Sequence, residues 1–223
     1  MGTLIELTAS DGHRFGAYRA DHPGNKPRGG VLVIQEIFGV NAHIRSVCDS
    51  YAQEGYVAIA PAMFDRVERC VELGYTPDDS KRGIGYVTRM KPGDTRADLQ
   101  VTANELGKSG KVGVVGYCWG GTQTWIAAAK LDGIACASGY YGGGLATQVE
   151  LAPRVPTILH FGDKDGHIPL TDVEKVRAAR PEVAVYVYPA GHGFNCEARA
   201  SYDAASAKLA RERTLALFAK HLG

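Results

Sequence analysis

From Val31 onward the chain alternates apolar runs of strand length with stretches of helical periodicity, and few architectures satisfy that alternation. The runs cover 31–35, 56–60, 111–115, 134–139, 157–161 and 183–188, and the helical stretches cover 42–54, 94–107, 120–131, 169–180 and 202–221. Strands that are apolar along their whole length need cover on both faces, so the pattern predicts a mostly parallel, twisted sheet flanked by helices. Ahead of it, Leu4 to Leu7 and Phe15 to Arg19 flank Ala9-Ser10-Asp11-Gly12-His13. An Asp-Gly turn between short apolar runs predicts an antiparallel hairpin at one edge of the sheet. Residues 62–92 fit the scheme least well, with few core positions before a helix near 78–90, and an excursion of this kind is expected to shape a pocket. No repeat, low-complexity tract or linker divides the chain, and 223 residues of which 45% are hydrophobic suffice for one core. A single α/β domain over 1–223 is expected.

Charge excludes several functions. Lys and Arg number 25 against 24 Asp and Glu, with no basic block, so nucleic acid is not an expected partner. The apolar runs fall short of the roughly 20 residues that a membrane span needs. Met1-Gly2-Thr3-Leu4-Ile5-Glu6 carries neither an export pattern nor the Ser or Thr of a myristoylation signal, so a soluble, cytoplasmic protein is expected. Five cysteines without a C-x-x-C (Cys48, Cys70, Cys118, Cys136, Cys196) suit a reducing compartment, and Cys48, Cys136 and Cys196 read as small buried residues.

One cysteine stands apart. Lys111 to Val115 is strand-like, Thr122 to Lys130 is helix-like, and Gly116-Tyr117-Cys118-Trp119-Gly120 joins them. The layout resembles the G-x-S-x-G nucleophile elbow of α/β-hydrolases with sulfur in place of the hydroxyl. At the start of a helix a thiol gains from the positive end of the dipole, and its thiolate is a strong nucleophile. The competing reading is a glycine-rich turn around a buried cysteine. Two later segments bear on the choice: 157–161 leads into Gly162-Asp163-Lys164-Asp165-Gly166-His167, and 183–188 leads into Pro189-Ala190-Gly191-His192-Gly193-Phe194. Carboxyl ends of parallel strands line one crevice, so the three groups can meet there. Cys118, Asp165 and His192 follow in the order nucleophile, acid, histidine, at spacings of 47 and 27 residues. Asp163 competes with Asp165 for the acid; the G-x-x-D spacing favours Asp165 and leaves Asp163 as a turn residue. Asp163, Asp165 and His167 make a poor metal site, because a calcium loop needs more donors and a closing glutamate. No metal or cofactor is expected. His160, inside an apolar strand, reads as a core histidine, whereas His13, His22, His43 and His221 read as surface residues.

Gln35-Glu36-Ile37-Phe38-Gly39-Val40-Asn41, Gly116-Tyr117-Cys118-Trp119-Gly120-Gly121, Gly139-Tyr140-Tyr141-Gly142, Gly162-x-x-Asp165 and Ala190-Gly191-His192-Gly193-Phe194 together resemble the dienelactone hydrolase family over essentially the whole chain. The resemblance implies a compact α/β-hydrolase fold and hydrolysis of an enol-lactone during the breakdown of chlorinated aromatics, through a triad of Cys118, Asp165 and His192. It also implies that Glu36 takes part in forming the thiolate. Like-charge repulsion would raise the thiol pKa, so Glu36 makes chemical sense as a proton acceptor or as a group that swings away. The implied oxyanion hole is the backbone N–H of Ile37 and of Trp119.

The chain departs from the family at the residue that binds the substrate carboxylate. The arginine expected a few positions beyond the histidine is replaced by Cys196; Arg199 comes three positions late, and Arg82 is the nearest candidate for a second arginine. A thiol does not replace a guanidinium fork, which predicts that neutral small lactones or esters serve at least as well as dienelactone. Phe38, Phe194 and Tyr140 are candidates for substrate-pocket lining with core packing as the alternative, and Tyr86 joins Arg82 through its i, i+4 spacing. The leading reading is a cysteine-dependent hydrolase of small lactones or carboxylic esters that passes through a thioester. The alternatives are an inactive hydrolase-fold binder of a small molecule and a thiol redox sensor with Cys196 as resolving cysteine. A monomer is expected, with a homodimer as the alternative.

Overall fold

The computed structural model describes residues 2–223. Its strands are β1 (Thr3–Thr8), β2 (Arg14–Ala20), β3 (Gly30–Ile34), β4 (Val57–Pro61), β5 (Val112–Tyr117), β6 (Ile134–Tyr140), β7 (Thr157–Gly162) and β8 (Ala184–Tyr188). They form one sheet in the order β1-β2-β4-β3-β5-β6-β7-β8. β1 pairs antiparallel with β2, and β2 antiparallel with β4; every pairing from β4 to β8 is parallel. The hairpin and the strand-helix alternation therefore stand as the sequence predicts.

The helices are α1 (Ala42–Gln53), α2 (Pro77–Val87), α3 (Pro92–Gly107), α4 (Trp119–Lys130), α5 (Leu170–Ala179) and α6 (Ala204–His221). Three have side-chain caps: Asn41 accepts from the Ile44 N–H before α1, Thr76 and Asp79 form a reciprocal capping box ahead of α2, and Asp203 accepts from Ser206 before α6. Each cap satisfies donors that the first helical turn leaves without partners, an effect of about 1 kcal/mol.

Alternate residues of the central strands enter opposite cores. Val31, Val33 and Val115 pack with Cys48, Tyr51, Trp125 and Phe218 on one face. Leu32, Ile34 and Val114 pack with Ile59, Leu99, Leu106 and Ala128 on the other. Each fully buried Val, Leu or Ile contributes about 1.5–3 kcal/mol of transfer free energy, and two such faces hold the central strands rigid. A third, smaller cluster of Phe38, Phe64, Val71, Leu73 and Tyr86 lies under the 62–92 excursion. Among the anchors of that segment, Gly39 bridges to Glu72, and Arg66 bonds both the fully buried Asp98 of α3 at 2.6 Å and Asp11 of the hairpin turn. Because β3, β5, β7 and β8 run the same way, the loops at their carboxyl ends meet at one edge of the sheet.

Candidate active site

Cys118 sits between β5 and α4 with φ 55° and ψ −118°, a backbone region that costs a non-glycine residue about 1–3 kcal/mol. The surroundings impose it: the Cys118 N–H donates to the Tyr140 carbonyl at 3.0 Å, and the Cys118 carbonyl accepts from Gly121 at 2.9 Å. Gly116 and Gly120 permit the sharp turn, since a Cβ on Gly116 would strike the Gly120 carbonyl, and one on Gly120 the carbonyls of Ile34 and Gln35. Trp119 opens α4, so its N–H belongs to the first turn, which has no intrahelical acceptors, and the positive end of the helix faces Cys118.

His192, in the loop after β8, bonds Asp165 Oδ2 through Nδ1 at 2.7 Å. Asp165 Oδ1 accepts from the backbone N–H groups of His167 at 2.8 Å and Ile168 at 3.2 Å, which fixes the carboxylate. Burial pushes the Asp165 carboxyl up, but the bond and charge of His192 and the two backbone donors outweigh it and hold the pKa below the usual range. Burial pulls His192 down, while hydrogen bonds to Asp165 and to the Cys118 thiol raise it to about 9. With Nδ1 taken by Asp165, Nε2 is the nitrogen left for the thiol. Asp163, by contrast, is exposed.

Glu36 follows β3 and is 1% exposed. Its Oε1 accepts from Arg199 Nη1 at 3.2 Å, and its Oε2 has no partner among the described residues. Burial raises the Glu36 pKa against the opposing charges of Arg199 and His192. The Arg199 guanidinium also lies 5.7 Å from the centre of the Phe38 ring.

A cleft of about 360 Å³ gathers these groups: Ile37 and Phe38 after β3, Ser80 and Ile84 on α2, Cys118, Trp119 and Thr122 at the elbow, Gly143, His167 and Ile168, then His192 and Arg199. Four residues named from the sequence do not line it. Arg82 is exposed on α2 beside Asp79. Tyr86 is buried against Phe64, its hydroxyl donating to Glu68 at 2.8 Å. Tyr140 lies beneath the sheet edge, bonded to Thr214 at 2.7 Å, and Phe194 packs on Tyr141 and Tyr188. On α2 it is Ser80 and Ile84, at the same i, i+4 spacing as Arg82 and Tyr86 but displaced by about half a turn, that line the cleft. Gly83, whose missing Cβ lets α2 sit on the Ile37 carbonyl, and Tyr86 are the buried residues of the helix.

Of the two arginines weighed from the sequence, Arg199 lines the cleft and Arg82 does not. Backbone bonds from Cys196 to Gly193, from Arg199 to Cys196 and from Tyr202 to Arg199, each 3.0 Å, make three successive tight turns. Cys196 is fully buried and outside the cleft lining, whereas Arg199, at the end of the second turn, lines the cleft. Gly193, at φ 78°, leaves room for it, because a Cβ there would collide with the guanidinium. His43 is another correction: it is only partly exposed, and its Nε2 is buried without a partner.

A parallel sheet with an N-terminal antiparallel hairpin, helices on both faces and a strained strand-to-helix turn at Cys118 after a central strand define an α/β-hydrolase fold. The profile of the dienelactone hydrolase family matches residues 15–222. The chain belongs to that family and is a hydrolase. It is 33% identical to the carboxymethylenebutenolidase of Pseudomonas putida, over 95% of this chain and 93% of that protein. A "Putative carboxymethylenebutenolidase" of Synechocystis is 35% identical over 86% of each chain. A crystal structure of a "Putative Dienelactone Hydrolase" from Klebsiella pneumoniae superposes with a TM-score of 0.85 at 33% identity, covering 99% of this chain and all of that one. Among the described residues no helix is long and apolar enough to cross a membrane.

Proposed function

We propose that the protein hydrolyses small lactones or carboxylic esters by cysteine catalysis in the cytoplasm. The observation that carries this reading is the strained Cys118 sharing one cleft with His192, whose ring is bonded to the buried Asp165. The Cys118 proton passes to His192, and the thiolate attacks the carbonyl carbon. Charge on the carbonyl oxygen is held by the N–H groups of Ile37 and Trp119. As the C–O bond breaks, His192 returns the proton to the leaving oxygen, which in a lactone remains tethered to the acyl group. Water, deprotonated by His192, then cleaves the Cys118 thioester.

Arg199 is the group in the cleft suited to an anionic substituent. A substrate carboxylate that pairs with its guanidinium competes with Glu36, and a released Glu36 is free to take the thiol proton and relay it to His192. This would couple activation of Cys118 to substrate arrival. It also reverses the specificity that Cys196 suggests, since the guanidinium missing at that position is supplied three residues later.

The test is Cys118→Ala assayed on a chromogenic acetate ester, with mass spectrometry of the wild type quenched during turnover. An acetyl adduct on Cys118 and a variant at background rate are expected. Retention of more than a few per cent of the wild-type rate would exclude Cys118 as nucleophile.

A further inference from the structure

Behind the cleft, Glu36, His43 and Cys196 each present one donor atom, and those three atoms all lie within 4.8 Å of one another. They come from three separate parts of the chain: the loop after β3, the first turn of α1 and the tight turns after His192. The acid and the imidazole each also carry a polar atom with nothing else to bond. Glu36 Oε2 and His43 Nε2 are buried without hydrogen-bond partners among the described residues, although Glu36 is 99% removed from solvent. An unpaired buried polar atom costs about 1–3 kcal/mol, and two facing one thiol call for a common partner.

We propose that Glu36, His43 and Cys196 form a binding site for a zinc-class divalent ion, with water in a fourth position. The donor set of thiolate, imidazole and carboxylate suits Zn²⁺ or Co²⁺ and disfavours Mg²⁺ or Ca²⁺, which take oxygen ligands. Donors of a tetrahedral zinc centre stand roughly 3.5 Å apart, so small side-chain rotations close this set. Outer contacts are in place: Arg199 holds the other oxygen of Glu36, and the Tyr75 hydroxyl bonds the Cys196 sulfur. Burial keeps His43 neutral, its pKa lowered to about 4, which leaves the ring able to ligate. The cation meets Arg199 as a like charge, and the carboxylate and thiolate together offset that charge. Binding releases the Cys196 thiol proton to solvent as the metal–sulfur bond forms. Access is through a second groove of about 360 Å³, between α1 and α6, which His43, Asn195 and Arg211 line.

An ion there ties Glu36 in place, so occupancy lowers turnover. That consequence rests on the role proposed for Glu36; binding itself does not. The experiment begins with Cys118→Ala protein, which removes the competing thiol of the cleft, titrated with Co²⁺. One ion per chain with a thiolate-to-cobalt charge-transfer band is expected. The band should vanish on adding Cys196→Ser, and adding His43→Ala should weaken binding by more than about tenfold, a loss that even outer-shell partners produce. Absence of the band in Cys118→Ala, or its survival in Cys118→Ala/Cys196→Ser, would overturn the site. Separately, Zn²⁺ should inhibit wild-type esterase turnover, and His43→Ala should need at least tenfold more Zn²⁺ for the same inhibition. If the cobalt site holds but both enzymes are inhibited alike, the role of Glu36 falls and the site stands.

Discussion

Cys118 occupies a backbone region where glycine would be at ease, and the hydrogen bonds around Tyr140 and Gly121 hold it there. Strain at a reactive residue predicts a trade between stability and activity. Cys118→Gly should raise the urea midpoint by the equivalent of about 1 kcal/mol, the strain relieved less the entropy that glycine adds, while abolishing ester turnover. An unchanged or lowered midpoint would mean that the elbow is not strained. Arg199 supports a second prediction. Its guanidinium enters the cleft and bonds Glu36, so Arg199→Ala should lower kcat/KM for an ester bearing a free carboxylate by about thirtyfold or more, the loss expected for a desolvated charge-assisted bond. A neutral ester of the same size should suffer less. Equal losses on both substrates would show that Arg199 serves Glu36 rather than the substrate.

At the scale of elements, the 62–92 excursion contributes Ser80 and Ile84 to the cleft, and a buried ion pair is among the contacts that tie it down. Arg66 bonds Asp98, whose carboxylate is fully buried and whose pKa burial raises in spite of that partner. Removing the cation leaves a buried acid without compensation. Arg66→Leu should therefore cost about 3–5 kcal/mol of unfolding free energy, whereas Arg66→Leu/Asp98→Leu should recover most of it. Chemical denaturation of the three proteins checks this, and an additive double variant would deny the coupling. The same segment shows the limit of pattern reading. Both faces of α2 present a polar and an apolar side chain at i, i+4, and the periodicity of the helix does not say which face meets Ile37. Packing across elements makes that choice: Ser80 and Ile84 line the cleft, while Tyr86 packs on Phe64.

For the whole molecule, the sheet and α6 are joined through a buried polar network. His160 Nδ1 bonds the Tyr188 hydroxyl at 2.7 Å, and Nε2 bonds Ser138 at 3.2 Å, with Thr214 of α6 at 3.3 Å. Burial, aided by the charge of Arg213, lowers its pKa from 6.5 to about 3. The unfolded chain therefore takes up this proton before the folded one does. Stability from His160 is complete above pH 6.5 and declines as the pH falls towards 3, by up to about 1.4 kcal/mol per pH unit. Urea unfolding between pH 7 and 5 should show a shallower decline for His160→Gln than for the wild type. Parallel declines would mean that His160 takes no part.

Local chemistry already determined much of this protein. Strand-length apolar runs, the glycines around Cys118 and the acid and histidine at strand ends are each written within a few residues, and parallel strands bring their carboxyl ends together whatever the loops contain. The hairpin, the helical alternation and the convergence of Cys118, Asp165 and His192 are legible for that reason, whereas Glu36 is pointed to only by the family resemblance. Contacts between distant segments left no such trace. Arg199 lines the cleft where the turns after His192 fold it over the bare backbone of Gly193 and onto Glu36, and His43, at the start of α1, lies beside Glu36 and Cys196. Tyr86, Tyr140 and Phe194 have the same apolar character whether they line a cleft or fill a core. Which of these they do depends on packing across elements, and only the tertiary structure decides it.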